Sequence, residues 1–168
     1  MKVFYAALLV TGLFFTLGAQ PSDSVQLPVK KALLVYDSVD VMTQIYIETF
    51  RTQLVNAGFS LDEIALLKSE NKDPAQYEYV FLYSRVMAFN FVSPVKKWLS
   101  SLKTLKDRQV FVFVTANRWF AKDNFKQIVE LVNKRQGTLV DAVSTATKDL
   151  NSDQKMQAVK THLEKLLR

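Results

Sequence analysis

The stretch Asp37–Thr43 carries two carboxylates and two hydroxyls, with Glu48 following one helical turn later. Carboxylates so grouped could ligate a divalent cation. The hydroxyls of Ser38 and Thr43 could hold an anion, or could cap a helix and close a turn. Large rings lie in two other segments, Phe89 and Phe91 in one, Trp119 and Phe120 in the other. Exposed rings can stack on a flat ligand, although a chain with 12 phenylalanines needs little reason to place a few in loops. Arg85 and Arg118 stand beside these rings and would favour an anionic or reduced ligand if they point inward. The sole histidine, His162, falls between Lys160 and Lys165, off the apolar stripe of its segment, and is expected to face solvent. There is no cysteine. One histidine and no thiol exclude the usual transition-metal sites and nucleophile–base pairs.

These residues must be positioned by elements that alternate between two periodicities. Lys31–Tyr36 is an apolar run suited to a strand buried on both faces. Asp40–Ala57 repeats apolar residues at helical spacing (Met42, Tyr46, Phe50, Leu54), with Asp40 placed to cap it and Gly58 to end it in a left-handed conformation. Phe59–Leu67 reads as a second strand, Ser69–Gln76 as a turn-rich connection, and Tyr79–Ser84 as a third strand. A ring-rich loop follows, and Pro94 opens a helix with Val95, Trp98, Leu99 and Leu102 inward. Val110–Thr115 is the fourth strand. Phe125, Ile128, Val129 and Val132 mark a helix ending before Gly137, and Thr138–Val143 is the fifth strand. Asp153–Leu167 is the last helix, capped by Asp153 or Ser152. Strands alternating with helices predict a three-layer αβα sandwich around a five-stranded parallel sheet, with ligands taken at the carboxyl ends of the strands.

At 49% hydrophobic and 23% charged residues the composition is globular, and 168 residues suffice for one domain with a sizeable core. Residues 1–19 carry one charge, Lys2, ahead of an apolar run and small residues at Gly18 and Ala19, the layout of a secretory signal peptide or, if uncleaved, an N-terminal anchor. Gln20–Val29, broken by Pro21 and Pro28, reads as a linker to a domain over 30–168. The expected location is periplasmic or secreted, with membrane association only through an uncleaved leader. The net charge of +6 is scattered without an Arg-rich run, which argues against nucleic acid as a partner.

The segment Tyr77-Glu78, Val80-Phe81-Leu82-Tyr83-Ser84, Pro94-Val95-Lys96-Lys97-Trp98-Leu99 and Val110–Thr115 resembles the flavodoxin family, and the resemblance extends over Lys31 to Leu167. It implies strand order 2-1-3-4-5 and a site at the ends of strands one, three and four. It also implies flavin mononucleotide (FMN) as cofactor, electron transfer as activity and a redox protein as partner. Ser38 and Thr43 match the hydroxyl ends of the flavodoxin phosphate loop, Ser84 the serine closing strand three, and Phe89, Asn117 and Trp119 the ring-binding loops. The pattern departs where Asp40 replaces a threonine and Val41 a glycine, and where Arg85 and Phe89 replace the usual proline and glycine. A β-branched residue hinders the backbone approach that a phosphate needs, and a carboxylate repels it. The departures support a second implication, a flavin-free binding or interaction module on the same fold. Receiver domains share the topology, but Ser84-Arg85 stands where their phospho-accepting aspartate would be, which excludes a phosphorelay.

Overall fold

The computed structural model describes residues 29–68, 72–86, 93–117 and 121–167. The leader and most of the linker lie outside them, as do Phe89, Phe91, Arg118, Trp119 and Phe120. Five strands are present: β1 (Lys31–Tyr36), β2 (Ser60–Ala65), β3 (Tyr79–Val86), β4 (Gln109–Ala116) and β5 (Thr138–Ala146). Four helices alternate with them: α1 (Gln44–Asn56), α2 (Pro94–Ser101), α3 (Ala121–Lys134) and α4 (Ser152–Leu167). The strands form one parallel sheet in the order β2-β1-β3-β4-β5, as expected. The second strand is shorter than its apolar run because Leu66–Lys68 turns into a 3-10 helix. The fifth runs three residues further, past Val143.

The alternation within each strand sorts the core by side-chain type. Leu33, Val35, Val80, Leu82, Val110, Val112 and Val114 form an aliphatic face packed on Trp98, Leu99, Ile128 and Val132 of α2 and α3. Leu34, Tyr36, Phe81, Tyr83, Phe111 and Phe113 face the other way, onto Tyr46, Phe50 and Leu54 of α1 and Val159 and Leu163 of α4. That second face is a mat of rings, with Phe81 stacked on Phe111 at 4.8 Å and Tyr46 on Tyr83 at 5.6 Å. Edge and offset contacts of this kind add to the stabilisation from area burial alone.

Local signals act largely as the sequence predicts. Gly58 takes φ +81° after α1, and Trp98 is buried against the sheet. α3 ends before Gly137, as expected, and Gln136 beyond it adopts the left-handed conformation (φ 64°). Gly137 is required by crowding, since a Cβ there would lie 2.9 Å from Val110 Cγ2. One detail differs: the cap of α4 is Asn151 rather than Asp153 or Ser152, and its Oδ1 accepts from the Gln154 N–H while Gln154 Oε1 accepts from the Asn151 N–H, a reciprocal capping box.

Candidate functional site at the carboxyl edge of the sheet

β1 lies between β2 and β3, so the chain leaves it in one direction and later returns on the other side. The crevice at such a reversal is where open α/β sheets take ligands. Here it is closed by Asp37, the residue after β1. Its Oδ2 accepts from the Ser84 hydroxyl (2.8 Å) and the Arg85 N–H (3.0 Å) at the end of β3. Its Oδ1 accepts from the Val95 N–H (2.9 Å) in the first turn of α2 and from the Ser93 hydroxyl (3.3 Å). The Ser84 and Ser93 Oγ atoms lie 2.9 Å apart, so either hydroxyl can donate to the other in place of the carboxylate. The carboxylate thus ties β1, β3 and the N-terminus of α2 together. Burial raises the Asp37 pKa, and its four donors only partly counter that rise.

Asp40 fills the neighbouring helix terminus. Its Oδ1 accepts from the Met42 and Thr43 N–H groups, both at 2.8 Å. In return the Asp40 N–H donates to Thr43 Oγ1 at 2.8 Å, and the Thr43 hydroxyl donates to the Ser38 carbonyl at 2.9 Å. Asp40 and Thr43 therefore form a capping box, and the Gln44 N–H already bonds the Asp40 carbonyl. Asp40 Oδ2 pairs with Arg85 Nη1 at 2.9 Å. Partial burial works to raise the Asp40 pKa, but the Thr43 and Met42 N–H groups and the Arg85 charge outweigh it and hold it below the usual value.

The residues expected at a site are distributed unevenly. Ser84 is buried in the Asp37 cluster, and Thr43 is 2% exposed with its hydroxyl committed inside the turn. Ser38 lies half-buried on the loop between the two carboxylates, its carbonyl holding Thr43. Asn117 is exposed, one residue beyond β4 on the same edge. Phe89 and Trp119 fall outside the described residues. Sequence reasoning missed Ser93, which serves both as the cap of α2 and as a donor to Asp37. A serine directly before a helix-opening proline is a legible cap, but its long-range partner is not.

His162 is a correction. It is 2% exposed rather than solvent-facing. Its ring meets Phe50, Phe111 and Phe113 at centroid distances of 5.4 to 6.3 Å, and Nδ1 lies 2.8 Å from Asp141 Oδ2 on β5. The spacing Val159, His162, Leu163 does place it on the apolar stripe, and the flanking lysines misled the reading.

No protein-family model matches this chain, and no curated protein matches it by sequence. Solved structures do match in shape. An oxidised flavodoxin 2 from Bacillus cereus superposes with a TM-score of 0.59 at 16% identity, covering 80% of this chain and 99% of its own. The fold is that of the flavodoxins. A flavodoxin from the domain Archaea gives a TM-score of 0.59 at 14% identity, with 82% and 99% covered. The two-electron reduced flavodoxin of Megasphaera elsdenii gives 0.58 at 15% identity, with 79% and 98% covered.

The sequence resemblance raised FMN as an expected cofactor, and the loop after β1 can be tested against it. A phosphate at a helix N-terminus needs backbone N–H groups turned toward it. Here the N–H groups of Asp40, Met42 and Thr43 are already bonded to side chains of the same turn. An incoming phosphate would have to expel the Asp40 carboxylate and sit near the Asp37 charge. The loop does not fit a phosphomonoester.

Proposed function

We propose that this chain is an exported binding or interaction module on the flavodoxin fold, in which the chain's own carboxylates stand where a flavin phosphate would bind. The observation that carries the reading is the Asp40–Thr43 capping box, which leaves the start of α1 satisfied without a ligand. Beside it Val39, Val41 and Met42 project into solvent, Val41 at 92% exposure. Exposed apolar side chains grouped at one edge suit contact with a partner protein. The export address rests on the leader-like first 19 residues.

A second reading, an FMN-dependent electron carrier with a redox partner protein, is favoured by the likeness to flavodoxins in shape. In that case Phe89 and Trp119 would flank the flavin ring and Ser38, Thr43, Ser84 and Asn117 would line its phosphate and ring edge.

Titration with FMN and with riboflavin, read by flavin fluorescence quenching, separates the two. The module reading expects no saturation by FMN at tens of micromolar and no advantage of FMN over riboflavin. Asp40→Thr with Val41→Gly should then raise FMN affinity by about tenfold or more, one phosphate contact restored to the helix start. Tight FMN binding by the unaltered chain, lost on Trp119→Ala, would establish the carrier.

A further inference from the structure

The net charge of +6 is scattered along the sequence, but the fold gathers a row of cations at one end. In a parallel sheet every strand starts at the same edge, and the turns that lead into the strands line it. Backbone bonds run along that edge here. The Ser60 N–H donates to the Lys30 carbonyl and the Glu78 N–H to the Lys31 carbonyl, at 2.9 and 3.1 Å. The Gln109 N–H donates to the Glu78 carbonyl and the Thr138 N–H to the Arg108 carbonyl, both at 2.9 Å. The loop between α2 and β4 is tied to the end of α3, since the Leu105 N–H donates to the Arg135 carbonyl at 2.6 Å. Lys30, Lys31, Lys103, Lys106, Arg108 and Lys134 therefore share the amino edge, and all but the half-buried Arg108 are exposed. Among the described residues of the same turns, Asp73, Glu78 and Asp107 stand against them. Of the six cations only Lys134 lies within a helix, so compensation of helix dipoles does not account for the row.

We propose that this amino edge docks on an anionic lipid surface, its lysines facing the headgroups. The surface lies at the opposite end of the sheet from the β1–β3 crevice and is independent of it. Two observations select lipid. Five of the six cations are lysines, compact point charges spread over several turns. Such an array suits a diffuse negative surface, whereas the paired recognition of individual phosphates favours arginine. The chain also enters the domain at this edge. Lys30 and Lys31 directly follow the linker Gln20–Val29, and the apolar run Val3–Leu17 lies ahead of it. Ten linker residues reach at most about 35 Å, so a leader held in a bilayer brings this edge to the membrane first. The carboxyl edge, which holds Asp37 and Asp40, stands a strand length away, about 26 Å for the eight residues of β4.

Both core clusters lie within residues 32–163, so the chain from Gln20 onward keeps the fold and separates the edge from the leader. That chain is titrated with vesicles of phosphatidylcholine alone and of phosphatidylcholine mixed with phosphatidylglycerol, at about 0.1 M salt, where charges are screened over about 10 Å. Co-sedimentation is expected with the anionic vesicles only, and is lost at about 1 M salt. Lys103→Gln with Lys106→Gln should weaken it about twentyfold, the product of roughly fivefold for each lysine. Lys122→Gln with Lys148→Gln removes the same charge from exposed positions at the carboxyl edge, beyond the screening length, and should change it by less than about twofold. The proposal is overturned if the neutral vesicles bind as well as the anionic ones, if the two pairs of substitutions weaken binding alike, or if no vesicle binds. Capture by soluble polyglutamate without any vesicle binding would also overturn it and assign the edge to an acidic protein.

Discussion

Replacing Asp37 by asparagine tests whether the crevice is held shut by a carboxylate. The two side chains have nearly the same shape, but asparagine has one acceptor oxygen where Asp37 uses two. The serine hydroxyls can rotate toward each other, being 2.9 Å apart. The Arg85 and Val95 N–H groups cannot turn away, and they approach opposite oxygens. One of them must therefore face the new NH2 group and lose its partner. A buried donor left unpaired costs about 1–3 kcal/mol, and the surviving bond weakens by roughly half when its acceptor loses its charge. Relief of the carboxylate's own burial works in the opposite direction. The net expectation is a loss of about 2 kcal/mol, or roughly 6 °C in Tm for a domain of this size. Urea unfolding followed by tryptophan fluorescence reads it as a lower midpoint at unchanged slope.

The pH dependence gives a second reading of the same substitution. The folded-state pKa of Asp37 is raised by burial, so between its unfolded and folded values the folded protein holds the proton more tightly. The stabilisation from this linkage is complete below about pH 3.8 and is lost as pH rises through the raised value. The advantage of the unaltered protein over Asp37→Asn should therefore narrow from pH 4 toward neutrality. An Asp37→Asn variant within 0.5 kcal/mol of the original would refute the account of the clasp, and an advantage that widens with pH would show that the four donors outweigh the burial of the carboxylate.

Two further substitutions test the packing. Gly137→Ala places a methyl 2.9 Å from Val110 Cγ2 and 3.1 Å from Val132 Cγ1; overpacking of this kind should lower stability by about 1–3 kcal/mol in urea melts, although alanine is otherwise favoured over glycine. His162→Ala should cost about 2–4 kcal/mol, because it empties a site walled by three phenylalanine rings and removes the imidazole hydrogen-bonded to Asp141; an exposed histidine would have given a change within about 0.5 kcal/mol.

The sheet was legible because its strands are written in two alphabets. In Val110–Val114 valine and phenylalanine alternate, and the structure places the valines against α2 and α3 and the phenylalanines against α1 and α4. A strand buried on both faces has no polar phase to confuse the reading. Gly58 and Pro94 acted through local backbone chemistry and were equally legible. The clasp was only half legible. Asp40 as a helix cap follows from its own neighbours, but the bonds of Asp37 to Ser93 and Val95 span 56 and 58 residues. His162 was misread for a related reason. Its flanking lysines describe the outer face of α4, whereas its own position is set by Asp141 and by rings from α1 and β4, all distant in sequence.

The two carboxylates share one electrostatic logic. Helix starts carry partial positive charge and unpaired N–H groups, and they attract whatever anion is nearest. In this fold all four helices follow strands and start at the carboxyl edge of the sheet, and two of those starts, α1 and α2, flank the β1–β3 crevice. Each is met from within, α1 by Asp40 and α2 by Asp37. An intramolecular anion is held at high effective concentration and loses little further freedom, so an external phosphate competes at a disadvantage. Arg85, which could have favoured the phosphate, is paired to Asp40 and reinforces the internal solution. Substituting the valine at position 41 alone would leave this competition unchanged. Only removal of the Asp40 charge frees the N–H groups, which is why the paired replacement, and not Val41→Gly by itself, is the change that should reopen the site.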